Sequence, residues 1–174
     1  MHLVSSQFKV LASIVVVLFS ITNTYAVEQP PLTHGLTKLT IPEIAPSLRL
    51  QDMDEEYLDI NSLKGKVVVV NFWATWCPVC AVENDNIQAI SEDYKVLNIA
   101  IQSGSDDEIK KYAEENNLKL DNIINDQSGS LSRLFGVKGT PSSFFINTEG
   151  RIQFVEVGYT STLGYRLRLW WAGL

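Results

Sequence analysis

Two cysteines that follow a strongly apolar segment constrain this chain more than any other feature. Cys77 and Cys80 are the only cysteines among its 174 residues, and two residues separate them. The segment before them, Val67 to Phe72, is rich in β-branched residues, a pattern typical of a strand covered on both faces of a sheet. Pro78 suits the first turn of a helix, where its missing N–H group would have no partner in any case. The sequence therefore predicts that the pair lies where a buried strand is followed by a helix.

The cysteine pair has three possible uses: a structural disulfide, a zinc site and a redox-active dithiol. A structural disulfide suits an oxidising compartment, but closing a ring of about four residues stabilises a chain by only about 2 kcal/mol. A structural zinc ion needs a tetrahedral set of ligands. The only histidines, His2 and His34, precede the predicted domain, so we expect no metal site.

The redox use has a mechanism. The free N–H groups and the dipole at the start of a helix stabilise a thiolate, which lowers the pKa of a cysteine there. Cys77, predicted at the exposed edge of the helix, would attack a partner disulfide. Cys80, predicted to be more buried, would then resolve the mixed disulfide. The pattern therefore favours thiol–disulfide exchange.

The composition is that of an ordinary globular domain. The chain has 45% hydrophobic residues and a formal net charge of −6. No cluster of Lys and Arg resembles the basic surface through which proteins bind nucleic acids. We therefore expect no nucleic-acid partner, and nothing in the sequence calls for a cofactor.

The N-terminus has the features of an export segment. Val10 to Ile21 is an apolar run of 12 residues, whereas a membrane-spanning helix needs about 20. Small residues end the segment at Ala26, where a signal peptidase could cleave. These features predict a signal peptide over residues 1–26, with an uncleaved inner-membrane anchor as the alternative, and a periplasmic location in either case. Residues 27–46 are rich in proline and predict a linker, which leaves residues 47–174 as the folded domain.

Segments with strand and helix patterns alternate along that domain and predict an α/β fold. The predicted elements are a hairpin over 47–66, a strand over 67–72, a helix over 78–93, a strand over 96–101, a helix from 106 to about 116 with a capping box at its start, a short strand at 123–124, a short helix over 131–135, a hairpin of 144–146 with 152–157, and a closing helix over 160–171. Apolar spacing predicts that two of these helices bury Val79, Val82, Ile87 and Ile90, and Leu163, Leu167 and Trp170, respectively.

Several motifs together resemble the exported thioredoxin-like reductases. They are Lys64-Gly65-Lys66, the strand 67–72, Trp73-Ala74-Thr75-Trp76-Cys77-Pro78-Val79-Cys80, and Gly139-Thr140-Pro141 with two phenylalanines soon after. The wider group is the thiol–disulfide interchange proteins related to TlpA and the cytochrome c maturation thioredoxins. The Pro-Val dipeptide and the ending Arg166-Leu167-Arg168-Leu169-Trp170 are most similar to the suppressor-for-copper-sensitivity D branch. The resemblance implies a thioredoxin-like fold, with a central mixed sheet flanked by helices and an N-terminal hairpin extension.

The resemblance also implies roles for residues near the cysteines. Pro141 matches the cis-proline of this fold, and Thr140 beside it would offer backbone N–H and C=O groups to an extended substrate segment. Glu83 matches an acid that helps proton movement at the buried thiol, with a solvated helix acid as the alternative. Trp76 is implied to border the docking surface, whereas Trp73 is at least as well explained by packing.

These features together predict a periplasmic thiol–disulfide oxidoreductase that reduces protein disulfides. The resemblance implies that a membrane-embedded electron-transfer protein keeps it reduced, and the copper branch implies thiol balance under metal stress. Two alternatives stay open: a cytochrome c maturation thioreductase, and a module that holds Cu(I) through both thiolates. The lack of a nearby Met or His and the Gly139-Thr140-Pro141 segment speak against the copper module.

Overall fold

The computed structural model of the protein describes residues 49–52, 57–119 and 123–174. Its helices and strands are, in chain order, β1 (Arg49–Gln51), β2 (Tyr57–Asp59), a 3-10 helix (Ile60–Leu63), β3 (Val68–Trp73), α1 (Pro78–Ser91), β4 (Lys95–Ile101), α2 (Asp106–Glu115), β5 (Ile123–Asp126), α3 (Ser130–Leu134), β6 (Ser142–Ile146), β7 (Ile152–Val157) and α4 (Thr162–Ala172). The predicted signal peptide, the predicted linker and His34 lie outside the described residues. Within those residues, no helix is both long enough and apolar enough to cross a membrane.

Five of the strands form one mixed sheet in the order β5-β4-β3-β6-β7. β3, β4 and β5 are parallel to one another, and α1 and α2 supply the crossover connections that parallel strands need. β6 is antiparallel to both β3 and β7, and Gly150 takes a φ of 81° in the turn between β6 and β7. β1 and β2 form a separate antiparallel pair, as the predicted hairpin requires. The predicted α/β architecture with a central mixed sheet is therefore confirmed.

Strand β3 lies at the centre of the core, and all 6 of its residues are buried. Because successive side chains of a strand point to opposite faces, β3 contributes to apolar clusters on both faces of the sheet. Val68 and Phe72 pack with Phe135, which follows α3. Val69 packs with Ile90 of α1 and Leu169 of α4. The strand is therefore held from both sides, and so is the turn that follows it.

The other elements begin and end close to the predicted residues. Helix α2 starts with the predicted capping box: the Ser105 Oγ atom accepts from the Glu108 N–H group at 3.4 Å, and the Glu108 Oε2 atom accepts from the Ser105 N–H group at 2.7 Å. The hydrogen bonds from Ser105 lower the pKa of the Glu108 carboxyl group. The sequence was sufficient to predict this cap because both partners lie within one helical turn.

Helix α4 exposes the face that the sequence predicts to be buried. Leu163, Leu167 and Trp170 are 66%, 57% and 60% exposed, so the prediction that they face inward is wrong. A second stripe, which begins at Tyr165, has the same i, i+4, i+7 spacing, and periodicity alone cannot choose between the two. The second stripe is buried because the ring of Tyr165 packs against that of Phe145, with 5.6 Å between their centroids, and because its hydroxyl group has a buried partner.

Helix α1 also differs from the prediction. Val79 and Val82 are 44% and 69% exposed, so their predicted burial is wrong. The buried residues of the helix are Cys80, Glu83, Ile87 and Ile90, of which the two isoleucines were predicted. The spacing of apolar residues does not predict this stripe because the stripe contains an acid, a residue type that is almost never fully buried without a partner.

Two matched substitutions on α4 test which stripe is buried. Leu169→Ala truncates a side chain that is 1% exposed, and we expect it to lower the free energy of unfolding by about 2–5 kcal/mol. Leu167→Ala truncates one that is 57% exposed and should change that free energy by about 0.5 kcal/mol or less. Urea unfolding followed by circular dichroism measures both values. Equal losses, or a larger loss at Leu167, would contradict the observed packing.

Candidate active site

Cys77 and Cys80 lie at the junction between β3 and α1 and are joined by a disulfide bond. Cys77 caps α1, and its backbone is extended while Pro78 begins the helix. The Sγ atom of Cys77 accepts a hydrogen bond of 3.1 Å from the backbone N–H group of Cys80. Serine, threonine, aspartate or asparagine usually occupies this capping position and accepts through oxygen. Here the acceptor is the sulfur atom of Cys77, at the positive end of the helix dipole.

Both cysteines are buried, with exposures of 4% for Cys77 and 2% for Cys80. The prediction that Cys77 lies at an exposed helix edge is therefore wrong for the disulfide form. The loop before β6 approaches Cys77, since the carbonyl oxygen of Thr140 lies 3.5 Å from its Sγ atom. The next peptide bond, Thr140–Pro141, is cis. Sequence spacing gave no sign of this burial because Cys77 and Thr140 are 63 residues apart.

Two tryptophans flank the pair in different ways. Trp76 is 61% exposed, and its indole N–H group donates to the carbonyl oxygen of Gln102 at 3.2 Å. Trp73 is 3% exposed, and its ring lies 5.8 Å from that of Tyr112. Its indole nitrogen is buried and finds no hydrogen-bond partner within the described part of the chain. Trp73 thus packs in the core, whereas Trp76 presents an apolar surface beside the disulfide.

Glu83 lies on the buried face of α1, one turn after Cys80, and is 1% exposed. The alternative of a solvated helix acid is therefore wrong. Its Oε1 atom accepts a hydrogen bond of 2.6 Å from the backbone N–H group of Thr160. Burial raises the pKa of the Glu83 carboxyl group, and the hydrogen bonds from Thr160 and from the Tyr165 hydroxyl group oppose this effect. Such a group keeps its proton at a pH where an exposed glutamate has lost it, and it can pass that proton to a neighbour.

The segment between β7 and α4 contacts both sides of the site. The side-chain amide of Asn86, one turn after Glu83, donates to the carbonyl oxygen of Thr160 at 3.1 Å. The backbone N–H group of Gly158 donates to the carbonyl oxygen of Pro141 at 2.9 Å. Sequence reasoning missed Asn86 and Thr160. Asn86 had one signal in the sequence, its helical spacing from Glu83 on the predicted helix. Thr160 had none.

These groups suit thiol–disulfide exchange. The site combines a sulfur atom at a helix N-terminus, a second sulfur one turn further along, and a buried acid on the same helix face. Among the residues that the structure describes, no three His, Cys, Asp or Glu side chains form a group that could hold a metal ion. The groups that can react in this site are the two sulfur atoms and the carboxyl group.

Comparison with known sequences agrees with this chemistry. A model of the AhpC/TSA family matches residues 41–155. The thiol-disulfide oxidoreductase ResA of Bacillus thuringiensis subsp. konkukian is 29% identical over 119 residues, which cover 66% of this chain and 68% of that protein. The thiol:disulfide interchange protein DsbE of Vibrio cholerae is 28% identical over 126 residues, which cover 71% of this chain and 68% of that protein.

Solved structures share the fold. The exposed lipoprotein thioredoxin Etrx1 of Streptococcus pneumoniae superposes with a TM-score of 0.62 and 25% identity, and covers 70% of this chain and 96% of that one. The predicted thioredoxin-like fold is thereby confirmed. The family match covers more than half of the chain and includes the disulfide between Cys77 and Cys80. The chain therefore belongs to the AhpC/TSA family and is a TlpA-like, thioredoxin-fold thiol–disulfide oxidoreductase.

Proposed function

We propose that this protein reduces disulfide bonds in exported proteins, with Cys77 as the nucleophile and Cys80 as the resolving cysteine. The observation that carries the proposal is the hydrogen bond of 3.1 Å from the Cys80 N–H group to the Cys77 Sγ atom. After reduction, this N–H group and the helix dipole stabilise a thiolate on Cys77. Cys80 is one turn inside the helix and lacks the capping position, so its thiol is the weaker nucleophile.

The exchange proceeds in two displacements. The Cys77 thiolate attacks one sulfur of the substrate disulfide, and the other substrate sulfur leaves as a thiolate and takes up a proton. Cys80 loses its proton and attacks the Cys77 Sγ atom, which restores the Cys77–Cys80 disulfide and releases the first substrate sulfur as a thiolate. Two electrons pass from the pair to the substrate.

Glu83 handles the proton of Cys80 in this scheme. Its burial on the same face of α1 and its raised pKa support the role. The protonated carboxyl group places no charge in the apolar interior, and the ionised group can accept the thiol proton when Cys80 attacks. Burial disfavours the ionised carboxylate, so the ionised group accepts a proton more readily than an exposed glutamate does.

The substrate-binding residues in this proposal are Trp76, Thr140 and Pro141. Thr140 has its carbonyl oxygen 3.5 Å from the Cys77 Sγ atom, and Trp76 is 61% exposed beside the same cysteine. An extended substrate segment that pairs with the backbone of Thr140 would bring its own cysteine to Cys77. The indole ring of Trp76 would then cover the apolar part of that segment.

The compartment and the electron donor are part of the proposal. Residues 1–26 direct export to the periplasm, and residues 27–46 link the domain to this segment or, if it stays uncleaved, to an inner-membrane tether. Each turnover oxidises the pair, so a reductant must restore the thiols. We assign this task to a membrane-embedded electron-transfer protein, and we propose a role in copper tolerance, both on the sequence resemblance described above.

A variant without the resolving cysteine tests the roles assigned to the two sulfur atoms. Cys80→Ala should stop the second displacement and leave substrates attached to Cys77 as mixed disulfides. Non-reducing gels of periplasmic extracts, followed by mass spectrometry, detect these adducts. Cys77→Ala is the matched control and should trap none of them. The roles are wrong if both variants give the same adducts.

The proton-transfer role of Glu83 predicts a pH dependence. The ordinary pKa of 4.5 is raised in the folded protein, so insulin reduction by the wild type should show an inflection above pH 4.5 that Glu83→Gln lacks. We expect the variant to be slower by about tenfold or more. The folded state binds the extra proton, so wild-type stability should fall as pH rises from 4.5 through the folded pKa. That decline should be absent in Glu83→Gln.

Glu92→Gln is the matched control for this experiment, because Glu92 follows the same helix and is exposed. It should keep both the inflection and the stability profile of the wild type. A Glu83→Gln protein with the wild-type pH profile would contradict the proposed proton transfer.

A second candidate function is the reduction of haem-attachment cysteines during cytochrome c maturation. The similarity to ResA and DsbE, with the resemblance to the cytochrome c maturation thioredoxins, favours it. Deletion of the gene should then abolish c-type cytochromes on haem-stained gels, whereas a general reductase would leave their amounts unchanged. The disulfide form of the pair offers no thiolate to Cu(I), so the copper-binding alternative requires the reduced pair, as thiol–disulfide exchange does.

A further inference from the structure

The residue that donates to Glu83 is itself bound by a second side chain of α1, and the mechanism above does not use that contact. Thr160 is 6% exposed. Its N–H group donates to the Glu83 Oε1 atom at 2.6 Å, and its carbonyl oxygen accepts from the Asn86 Nδ2 atom at 3.1 Å. Asn86 lies one turn after Glu83 on α1. Both backbone polar groups of Thr160 are therefore bound by neighbouring side chains of one helix.

A third contact fixes the Asn86 side chain. The hydroxyl group of Thr162, in the first turn of α4, donates to the Asn86 Oδ1 atom at 2.7 Å. A carbonyl oxygen can only accept, so the NH2 group of Asn86 has to face Thr160. The Oδ1 atom then faces Thr162, and each bond joins a donor to an acceptor. The amide thus has one orientation that satisfies both neighbours.

Asparagine suits this position better than an acid of the same shape. An ionised aspartate has no donor for the Thr160 carbonyl oxygen, and its negative charge would lie one helical turn from Glu83. Asn86 and Thr162 are half-buried, so water could satisfy either side chain, and burial does not by itself require their two contacts. The arrangement therefore holds Thr160 without adding a charge beside the buried acid.

We propose that Asn86, supported by Thr162, is a positioning residue for proton transfer: it fixes Thr160 so that the Thr160 N–H group points at the Glu83 carboxyl group. The proposal rests on the proposed role of Glu83 and deepens it. A backbone N–H group stabilises an ionised acid best when its distance and direction are held in advance. Asn86 thereby sets how readily Glu83 releases its proton, and so the pH range in which it can accept the proton of Cys80.

The titratable groups near Glu83 decide the conditions of a test. Cys80 is the other titratable residue on the buried face of α1, and it does not titrate in the disulfide form. Tyr165 of α4 also affects Glu83, but burial raises the pKa of Tyr165 far above its usual value, so it stays neutral. Glu156 of β7 acts on Tyr165 and pairs with Arg168 of α4, with 2.6 Å between Nη2 and Oε1. The disulfide form therefore separates the titration of Glu83 from that of the cysteines.

Carbon-13 NMR of the Glu83 carboxyl group in the disulfide form tests the proposal. Burial raises the pKa of Glu83, and the hydrogen bond from Thr160 opposes this effect. Asn86→Ala frees Thr160 and weakens that bond, so the Glu83 titration should move up by about half a pH unit or more. Asn84→Ala is the matched control, because Asn84 is a half-buried asparagine of the same helix. It should leave the titration unchanged.

A second pair of variants keeps Asn86 and changes its support. Thr162→Val has nearly the same shape but lacks the hydroxyl group, so it should move the Glu83 titration in the same direction by less. Thr162→Ser keeps a hydroxyl group and should keep the wild-type titration. If Asn86→Ala does not fold, this pair carries the test.

A purely structural role of Asn86 would give a different result. If Asn86 only joined α1 to α4, Asn86→Ala would lower the free energy of unfolding and leave the Glu83 titration where it is in the wild type. A wild-type titration in both Asn86→Ala and Thr162→Val overturns the proposal.

Insulin reduction across pH separates this inference from the proposed function. The inflection in the rate should move upward with the Glu83 titration in Asn86→Ala. If Glu83→Gln abolishes the inflection but Asn86→Ala and Thr162→Val leave it in place, only the role of Asn86 is wrong. If Glu83→Gln keeps the inflection, Glu83 does not transfer the proton, and the role of Asn86 in that transfer is overturned with it.

Discussion

Burial of β3 on both faces is the constraint on which the site depends. Its 6 residues are all buried, and apolar clusters on the two faces hold the strand between α3 on one side and α1 with α4 on the other. The strand ends at Trp73, so the turn to Cys77 starts from a fixed point. The direction of α1 is then set by its packing against Val69 and Phe145. A helix N-terminus can stabilise a thiolate only if it points at the sulfur, and this packing provides that alignment.

The sequence was most informative where a signal is local. The cysteine spacing, the β-branched strand and Pro78 together locate the start of α1, because all of them lie within a few residues of one another. The same holds for the capping box at Ser105, whose two hydrogen bonds form within one turn. Local signals of this kind depend on backbone geometry, which the identity of neighbouring residues largely determines.

The sequence was least informative where a polar group is buried. Glu83 interrupts the inner stripe of α1, and Tyr165 begins that of α4, so counting apolar residues selected Val82 and Leu167 instead. Each polar group is buried because a partner distant in the chain satisfies it: the Thr160 N–H group is 77 residues from Glu83, and Ser143 is 22 residues from Tyr165. Hydrophobic periodicity carries no information about such partners. Asn71, a polar side chain within the apolar run of β3, is likewise paired with a residue distant in the chain, since Ser143, 72 residues away, donates to its Oδ1 atom.

The backbone between positions 158 and 160 connects the two halves of the site. At one end, the Gly158 N–H group binds the carbonyl oxygen of Pro141, in the loop that lies over Cys77. At the other end, the Thr160 N–H group binds the Glu83 carboxyl group. Three consecutive residues therefore bind both the loop beside Cys77 and the acid one turn after Cys80. The two cysteines of the proposed reaction thus have one short piece of backbone as the common support of their surroundings.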